Sequence, residues 1–291
     1  MESTGTDARG GDMQLSIAQY YDSTWIDYRL LWLNNDNLAI HFGYHDQTPR
    51  SHSEGLENTN RVLANIADIQ HGDRVLDAGC GVGSSSIWIA TNRGAIVTGI
   101  TPVQTQVDRA SAAVIKRGLS AVVAVRRADY AATPFANESF DVVWALESLC
   151  HAQSKAAFYR EAARLLCRRG RLVIGEYVRA DRLLSAEDEH LLKQWLDGWM
   201  IPDIDTREEH VANANAAGFC DIEIRNVTAN MRKSLQRLYF LSLAGVPIGQ
   251  MLQKLRLRSD VQHGNAIGSN RQYRALKRGL WFYAFISAVK R

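Results

Sequence analysis

The sequence predicts an α/β protein built on a doubly wound, mostly parallel sheet. Two observations carry this. Between residues 72 and 178 short apolar runs alternate with amphipathic stretches, the rhythm of repeated strand–helix–strand units. The first run, Val75-Leu76-Asp77, feeds a turn with glycines at 79, 81 and 83, and a helical stretch opens at Ser84. A strand, a glycine-rich turn and a helix start bring backbone close to a nucleotide-like ligand.

Taken in order, residues 1–14 are polar and read as a flexible tail, without the apolar run of a leader. Residues 15–70 are helical and rich in aromatics (Tyr20, Tyr21, Trp25, Tyr28, Trp32, Phe42, Tyr44), which suits an N-terminal cap. The core over 71–178 holds five expected strands: Arg74–Asp77, Ala95–Ile100, Ala121–Arg126, Asp141–Leu146 and Arg171–Tyr177. Helices are expected over Ser84–Thr91, Val103–Arg117 and Lys155–Cys167. The last of these is stopped by Arg168-Arg169-Gly170, basic residues and a glycine where a helix C-terminus favours them. A cap insertion is expected over 179–205. A helix ending at Gly218 and a strand over Asp221–Val227 complete the core segment 206–227. A second cap insertion covers 228–280, and the last strand is Trp281–Val289 in the segment 281–291.

The chain has 291 residues, 46% of them hydrophobic, enough for a full core. A net charge of +3 with no basic stripe argues against a nucleic-acid partner. Lys254-Leu-Arg-Leu-Arg258 reads as a solvated helix face. Four dispersed cysteines (Cys80, Cys150, Cys167, Cys220) lack any Cys-x-x-Cys spacing, which suits reduced thiols in a cytoplasmic protein. No apolar stretch is long enough for a membrane span, and no His/Cys/Asp/Glu cluster has metal spacing, so a metal-free site is expected.

Asp77, one small residue, and then Gly79-Cys80-Gly81-Val82-Gly83 resembles motif I of the S-adenosylmethionine-dependent methyltransferases. A dinucleotide fingerprint would need a third glycine where Ser84 stands and an acid at the end of the second strand, where Thr101 stands. Gly99-Ile100-Thr101, followed by Gln106, resembles the sterol C24, tocopherol and natural-product methyltransferases. So do Tyr20-Tyr21-Asp22, His41-Phe42-Gly43-Tyr44, Pro134-Phe135, Ser139-Phe140-Asp141 and Glu147-Ser148 with His151. The resemblance implies a Rossmann-like seven-stranded sheet, mostly parallel with an antiparallel last strand, plus helical caps. It implies S-adenosylmethionine as cofactor and S-adenosylhomocysteine as product. The implied cofactor-binding residues are Asp77, Gly79, Cys80, Gly81, Thr101, Gln106, Ala128, Asp129 and Leu146. In the resembling group Gln106 takes the ribose, Asp129 takes the adenine amino group, and a neighbouring backbone N–H meets the ring.

The ends of the fourth and fifth strands fall on the same sheet edge, so Glu147, His151 and Glu176 are expected to share one cavity. His151 with Glu176 is the expected acid–base pair, and Tyr21 reaches the site from the N-terminal cap. Trp199 and Tyr239 are expected against the substrate. The apolar cap, with the resemblance, points to methylation of a carbon of an isoprenoid or prenylated natural product. The carbocation so formed would be stabilised by aromatic faces and is open to cyclisation. Two alternatives stay open: an O- or N-methyltransferase of a small secondary metabolite, and a cyclase or non-methylating cofactor binder on the same fold. A homo-oligomer is compatible with the sequence, with the N-terminal helices covering their own site or a partner's.

Overall fold

Side-chain alternation builds the sheet. In the computed structural model, which describes residues 8–31 and 38–291, Val75, Val142 and Val173 enter one apolar cluster. Their chain neighbours Leu76, Val143 and Ile174 enter the other. Strands buried on both faces are those of a parallel sheet covered by helices on each side.

Seven strands form one sheet: β1 (Arg74–Ala78), β2 (Ile96–Thr101), β3 (Val123–Arg127), β4 (Phe140–Leu146), β5 (Leu166–Arg179), β6 (Phe219–Asn226) and β7 (Trp281–Lys290). Their order is β3-β2-β1-β4-β5-β7-β6. The pairs among β1 to β5 are parallel, and β7 runs antiparallel between β5 and β6. The strand order reverses between β1 and β4, which opens a crevice at their carboxyl ends.

Helices α1 (Ala8–Leu31), α2 (His52–Ile66), α3 (Ser84–Arg93) and α4 (Gln104–Lys116) precede α5 (Lys155–Leu165), α6 (Ala186–Gly198), α7 (Arg207–Ala216), α8 (Thr228–Lys254) and α9 (Asp260–Lys277). Leu63 of α2, Ile89 of α3 and Val114 of α4 pack on one face. Phe158 of α5 and Ala214 of α7 pack on the other. Capping residues set several starts. Thr206 with Glu209 and Ser259 with Gln262 form reciprocal capping boxes at α7 and α9.

Most boundaries move by one or two residues, and two differences change the reading. α5 stops at Leu165 rather than Cys167, because Leu166 takes extended geometry and pairs with Phe140 as the first residue of β5. Arg169 then turns the chain with φ at 62°. The basic residues therefore lie inside an irregular strand, not at a helix end. At the N-terminus, residues 1–7 of the expected tail lie outside the described residues, and α1 already runs from Ala8. Trp32 of the aromatic N-terminal segment also lies outside them.

α6, α8 and α9 gather over the carboxyl edge. α9 approaches α6 so closely that a Cβ on Gly198 would lie 2.6 Å from the Gly264 carbonyl oxygen. A Cβ on Gly268 would lie 2.6 Å from Trp199 Cδ1. Gly268→Ala should therefore displace the Trp199 ring and cost about 1–3 kcal/mol in urea unfolding. Gly245→Ala, where nothing lies within 4 Å of the added atom, should be neutral or stabilising by up to about 1 kcal/mol.

Candidate active site

The ends of β1, β2 and β4 and the segment after β3 open on one cavity of about 710 Å³. The glycine turn forms one wall. Gly79, Gly81 and Gly83 take left-handed φ values of 92°, 52° and 85°. At Gly79 the requirement is internal, since a Cβ would lie 2.3 Å from Ser148 Cβ. Gly81 differs. Its added Cβ would meet only Ile40 Cδ1, at 3.7 Å, and it borders the cavity, so the missing side chain leaves room for a ligand. The Gly79 and Cys80 N–H groups both donate to the Ile100 carbonyl at 2.9 Å, which pins the turn to β2. Asp77 accepts from the Ser86 hydroxyl at 2.6 Å, and burial pushes its carboxyl up to about 6.

Thr101 Oγ1 accepts from the Val103 N–H at 3.3 Å and donates to Gln106 Oε1 at 2.6 Å. Gln106 lines the cavity with its oxygen occupied, so its –NH₂ is the group left to donate. Asp129 accepts from the Ala131 N–H at 2.8 Å and borders the cavity beside Tyr130. Cys80 and Leu146 also line it. Ala128 does not. Its N–H donates to the Thr101 carbonyl at 3.1 Å, because the β2–β3 ladder continues one residue past β3. Its N–H is thus engaged within the protein.

Glu147 follows β4 with φ at 51°. Its Oε1 accepts from the Phe42 N–H (2.7 Å) and the Tyr283 hydroxyl (2.8 Å), and its Oε2 from the Tyr177 hydroxyl (2.7 Å). Burial pushes Glu147 up to about 7, against the pull of these three donors. The carboxylate ties the N-terminal segment to β5 and β7 at the rim of the cavity.

His151 sits in a short 3₁₀ turn, Leu149–His151. Its Nδ1 lies 3.3 Å from the Met200 carbonyl and its Nε2 lies 3.1 Å from the Tyr21 hydroxyl. A carbonyl only accepts, so Nδ1 carries the proton and Nε2 accepts from Tyr21. Burial lowers His151 to about 4, which keeps it neutral near pH 7.

The expected His151–Glu176 pair is not made. Glu176 is 1% exposed and accepts from the Cys150 N–H at 2.7 Å and the Tyr177 N–H at 2.8 Å. Successive strand residues face opposite ways. Tyr177 therefore lines the cavity while Glu176 turns from it. Trp199 lines the cavity, stacks on Phe42 with centroids 6.5 Å apart, and donates its indole N–H to the Asn265 carbonyl at 3.2 Å. Tyr239 instead packs on Tyr273 with centroids 4.8 Å apart, and its neighbours Leu238 and Phe240 face the cavity. Strand alternation was the signal available for Tyr177. Nothing in sequence links Tyr283 to Glu147 or Met200 to His151. Among the described residues no group of three His, Cys, Asp or Glu side chains is placed to hold a metal, and no helix is long and apolar enough to cross a membrane.

A sheet of this order, with a glycine turn and a ligand-sized cavity at its switch point, defines the Rossmann-like cofactor-binding class. Comparison with known proteins narrows the class. A methyltransferase-domain family model matches residues 76–174. The 27-O-demethylrifamycin SV methyltransferase of Amycolatopsis mediterranei is 34% identical over 186 residues, 63% of this chain and 67% of that protein. The methyltransferase GfsG of Streptomyces halstedii is 34% identical over 222 residues, 74% of this chain and 77% of that one. Sterol methyltransferases are among the further relatives, in keeping with the motif after β2. The [4+2]-cyclase SpnF shares the fold with a TM-score of 0.78 at 24% identity, over 94% of each chain. The chain belongs to the S-adenosylmethionine-dependent methyltransferases.

The buried carboxyls give stability a pH dependence. Glu147 and Glu176, raised to about 7 and about 8, stay protonated in the fold where the unfolded chain has ionised. Their contribution therefore falls as pH rises toward those values. His41, His52, His151 and His210, lowered to about 4, act oppositely, and their contribution is complete above about 6.5. The melting temperature should drop between pH 6.5 and 8.5. Glu176→Gln should melt lower at pH 6.5, because an amide nitrogen would face a backbone N–H, yet lose less on going to pH 8.5.

Proposed function

We propose that the protein is an O-methyltransferase acting on a hydroxyl of a largely apolar small molecule. One observation carries this reading: a neutral His151 whose Nε2 lone pair, engaged by the Tyr21 phenol, lies on the cavity. The expectation of a carbon acceptor becomes the second reading, because Glu176, expected as the partner of His151 in acid–base chemistry, is buried and does not border the cavity.

Asp77, Gly79, Cys80, Gly81, Thr101, Gln106, Asp129 and Leu146 are assigned to the cofactor, with Gln106 donating to a ribose hydroxyl and Asp129 accepting from the adenine amino group. Bound there, S-adenosylmethionine supplies an electrophilic methyl on a positively charged sulfur. Methyl transfer to the acceptor oxygen would form the O–C bond as the C–S bond breaks, and the acceptor's hydroxyl proton would pass to the Tyr21 oxygen as the Tyr21 proton passes to His151 Nε2. A base of low pKa suffices, since an alkylated hydroxyl is itself a strong acid. Tyr21 orients the acceptor oxygen, the Met200 carbonyl fixes the imidazole, and Glu147 holds the rim closed. Positioning of this kind supplies up to about 7–11 kcal/mol.

The second reading is supported by the aromatic lining. Tyr21, Phe42, Tyr177 and Trp199 border the cavity, and each ring face steadies a nearby cation by roughly 0.5–2 kcal/mol. That would suit methylation of an alkene carbon, with or without cyclisation.

Product analysis by NMR after incubation with labelled S-adenosylmethionine and hydroxylated and prenylated acceptors decides between them. An O–CH₃ product is expected. A new C–CH₃ would overturn it in favour of the second reading, and a rearranged product without added methyl would favour a cyclase. His151→Ala should lower kcat about 10²–10⁴-fold, with affinity for S-adenosylhomocysteine within threefold of the parent. Tyr21→Phe should lose less.

A further inference from the structure

One face of α8 has no covering element. Phe240, Leu243, Pro247 and Met251 follow one another at helical spacing and are exposed, as are Leu255 and Leu257 in the turn beyond the helix. Leaving Pro247 aside, these side chains are between 48% and 72% exposed. Lys233 stands seven residues before Phe240, and Lys254 seven after Pro247, so the apolar stripe has a lysine at each end on the same side of the helix. From residue 228 to 259 the chain has six basic residues and no Asp or Glu. Arg258 is paired with Asp27 at 2.7 Å, whereas Lys233, Lys254 and Arg256 are exposed and make no ion pair among the described residues. Asp260, the next acid along the chain, accepts from the Gln253 amide at 2.6 Å. Phe240, Ala244 and Ile248 are exposed and also border the cavity, so the stripe runs along its mouth.

We propose that this face seats the protein on a bilayer of anionic lipid, with α8 lying in the plane of the interface and the cavity mouth turned to the lipid. A helix that carries basic residues and exposed apolar side chains, without acids, is drawn to anionic headgroups and buries its apolar side chains at the acyl boundary. The Lys254-Leu-Arg-Leu-Arg258 run then has a use for both of its halves: the cations meet headgroups and the leucines meet lipid. A second copy of the chain suits this face poorly. A two-fold contact presents the same patch from both sides, so the lysines and Arg256 of each copy would face a like-charged surface with no acid to answer them. The stripe and the cavity mouth share Phe240 and Ile248, so a molecule dissolved in the bilayer enters the cavity past them without crossing water. That entry route rests on the reading of the acceptor as a largely apolar molecule; the seating on lipid does not.

Flotation of the full chain with two kinds of vesicle tests this, one of phosphatidylcholine alone and one of equal parts phosphatidylcholine and phosphatidylglycerol. Binding to the anionic vesicles should be at least about tenfold tighter than to the neutral ones, and most of that margin should vanish as salt rises and screens the charges. The combined replacement Met251→Ser, Leu255→Ser and Leu257→Ser should weaken binding by about tenfold. Lys233→Gln with Lys254→Gln should weaken binding to the anionic vesicles and leave the neutral ones unaffected. None of these five side chains borders the cavity, and all are exposed, so affinity for S-adenosylhomocysteine and the melting temperature should stay at the parent's values. In Leu257→Trp, brominated lipid in the anionic vesicles should quench fluorescence more than it does in the parent. No binding to anionic vesicles, equal binding to both kinds, or parent-like binding by the serine variant would each overturn the proposal. A dimer seen by sedimentation and abolished in the serine variant would also overturn it, by giving the face to a second copy. Flotation needs no acceptor: a C–CH₃ product would sink the O-methylation reading and leave the seating standing, and a chain that stays off lipid would do the reverse.

Discussion

Glu147 is the group on which the site's shape depends. It is a carboxylate at a strand end, in a left-handed conformation, with donors arriving from three separate parts of the chain: Phe42 from the N-terminal segment, Tyr177 from β5 and Tyr283 from β7. A carboxylate accepts several hydrogen bonds at once, which no neutral side chain of its size does. The cost is desolvation, visible in the upward pull on its pKa. What the arrangement secures is closure: Phe42 is held against Trp199, and Trp199 against Asn265 of α9. The core sheet and the cap are thereby linked through one acid.

The cavity combines two kinds of surface. Near β1, β2 and β4 it is built from backbone turns and short polar side chains whose hydrogen bonds are largely settled within the protein. Towards α1, α8 and α9 it is built from rings and aliphatic side chains, interrupted by Asp27, Arg258 and Asn265. The first part is set by the sheet, and any protein with the same strand order and glycine turn can form it. The second depends on side chains from helices packed through Gly198 and Gly268. In the proposed reaction, selectivity for the acceptor resides in the cap.

This division also decides what the sequence made legible. The glycine turn, the Thr101–Gln106 pair and Asp129 are local patterns, each within a few residues of a strand end, and each takes its place at the cavity. Ala128, one residue before Asp129, lies off the cavity with its N–H bonded to the Thr101 carbonyl, because hydrogen-bond ladders end where geometry allows, not where a motif stops. Glu176 failed for a reason the sequence did contain: period-two alternation places it opposite Tyr177, and only one of the two can face the site. Tyr239 illustrates a weaker signal, since a long helix with apolar residues on most sides does not declare which of them is covered by a neighbouring helix. The Asp27–Arg258 pair joins residues 231 positions apart, and no local pattern foretells it.

The protonation states bear on the proposed methyl transfer. A cavity that keeps His151 neutral and lifts Glu147 and Asp77 toward protonation presents little fixed charge to an apolar acceptor. A strong base is not required when the proton is lost from an already alkylated oxygen. The larger requirement is alignment of the acceptor behind the reacting carbon, and alignment comes from walls rather than from charge. In the proposed reaction the Tyr21–His151 contact fixes the acceptor oxygen, and the aromatic walls of the cavity hold the rest of the molecule.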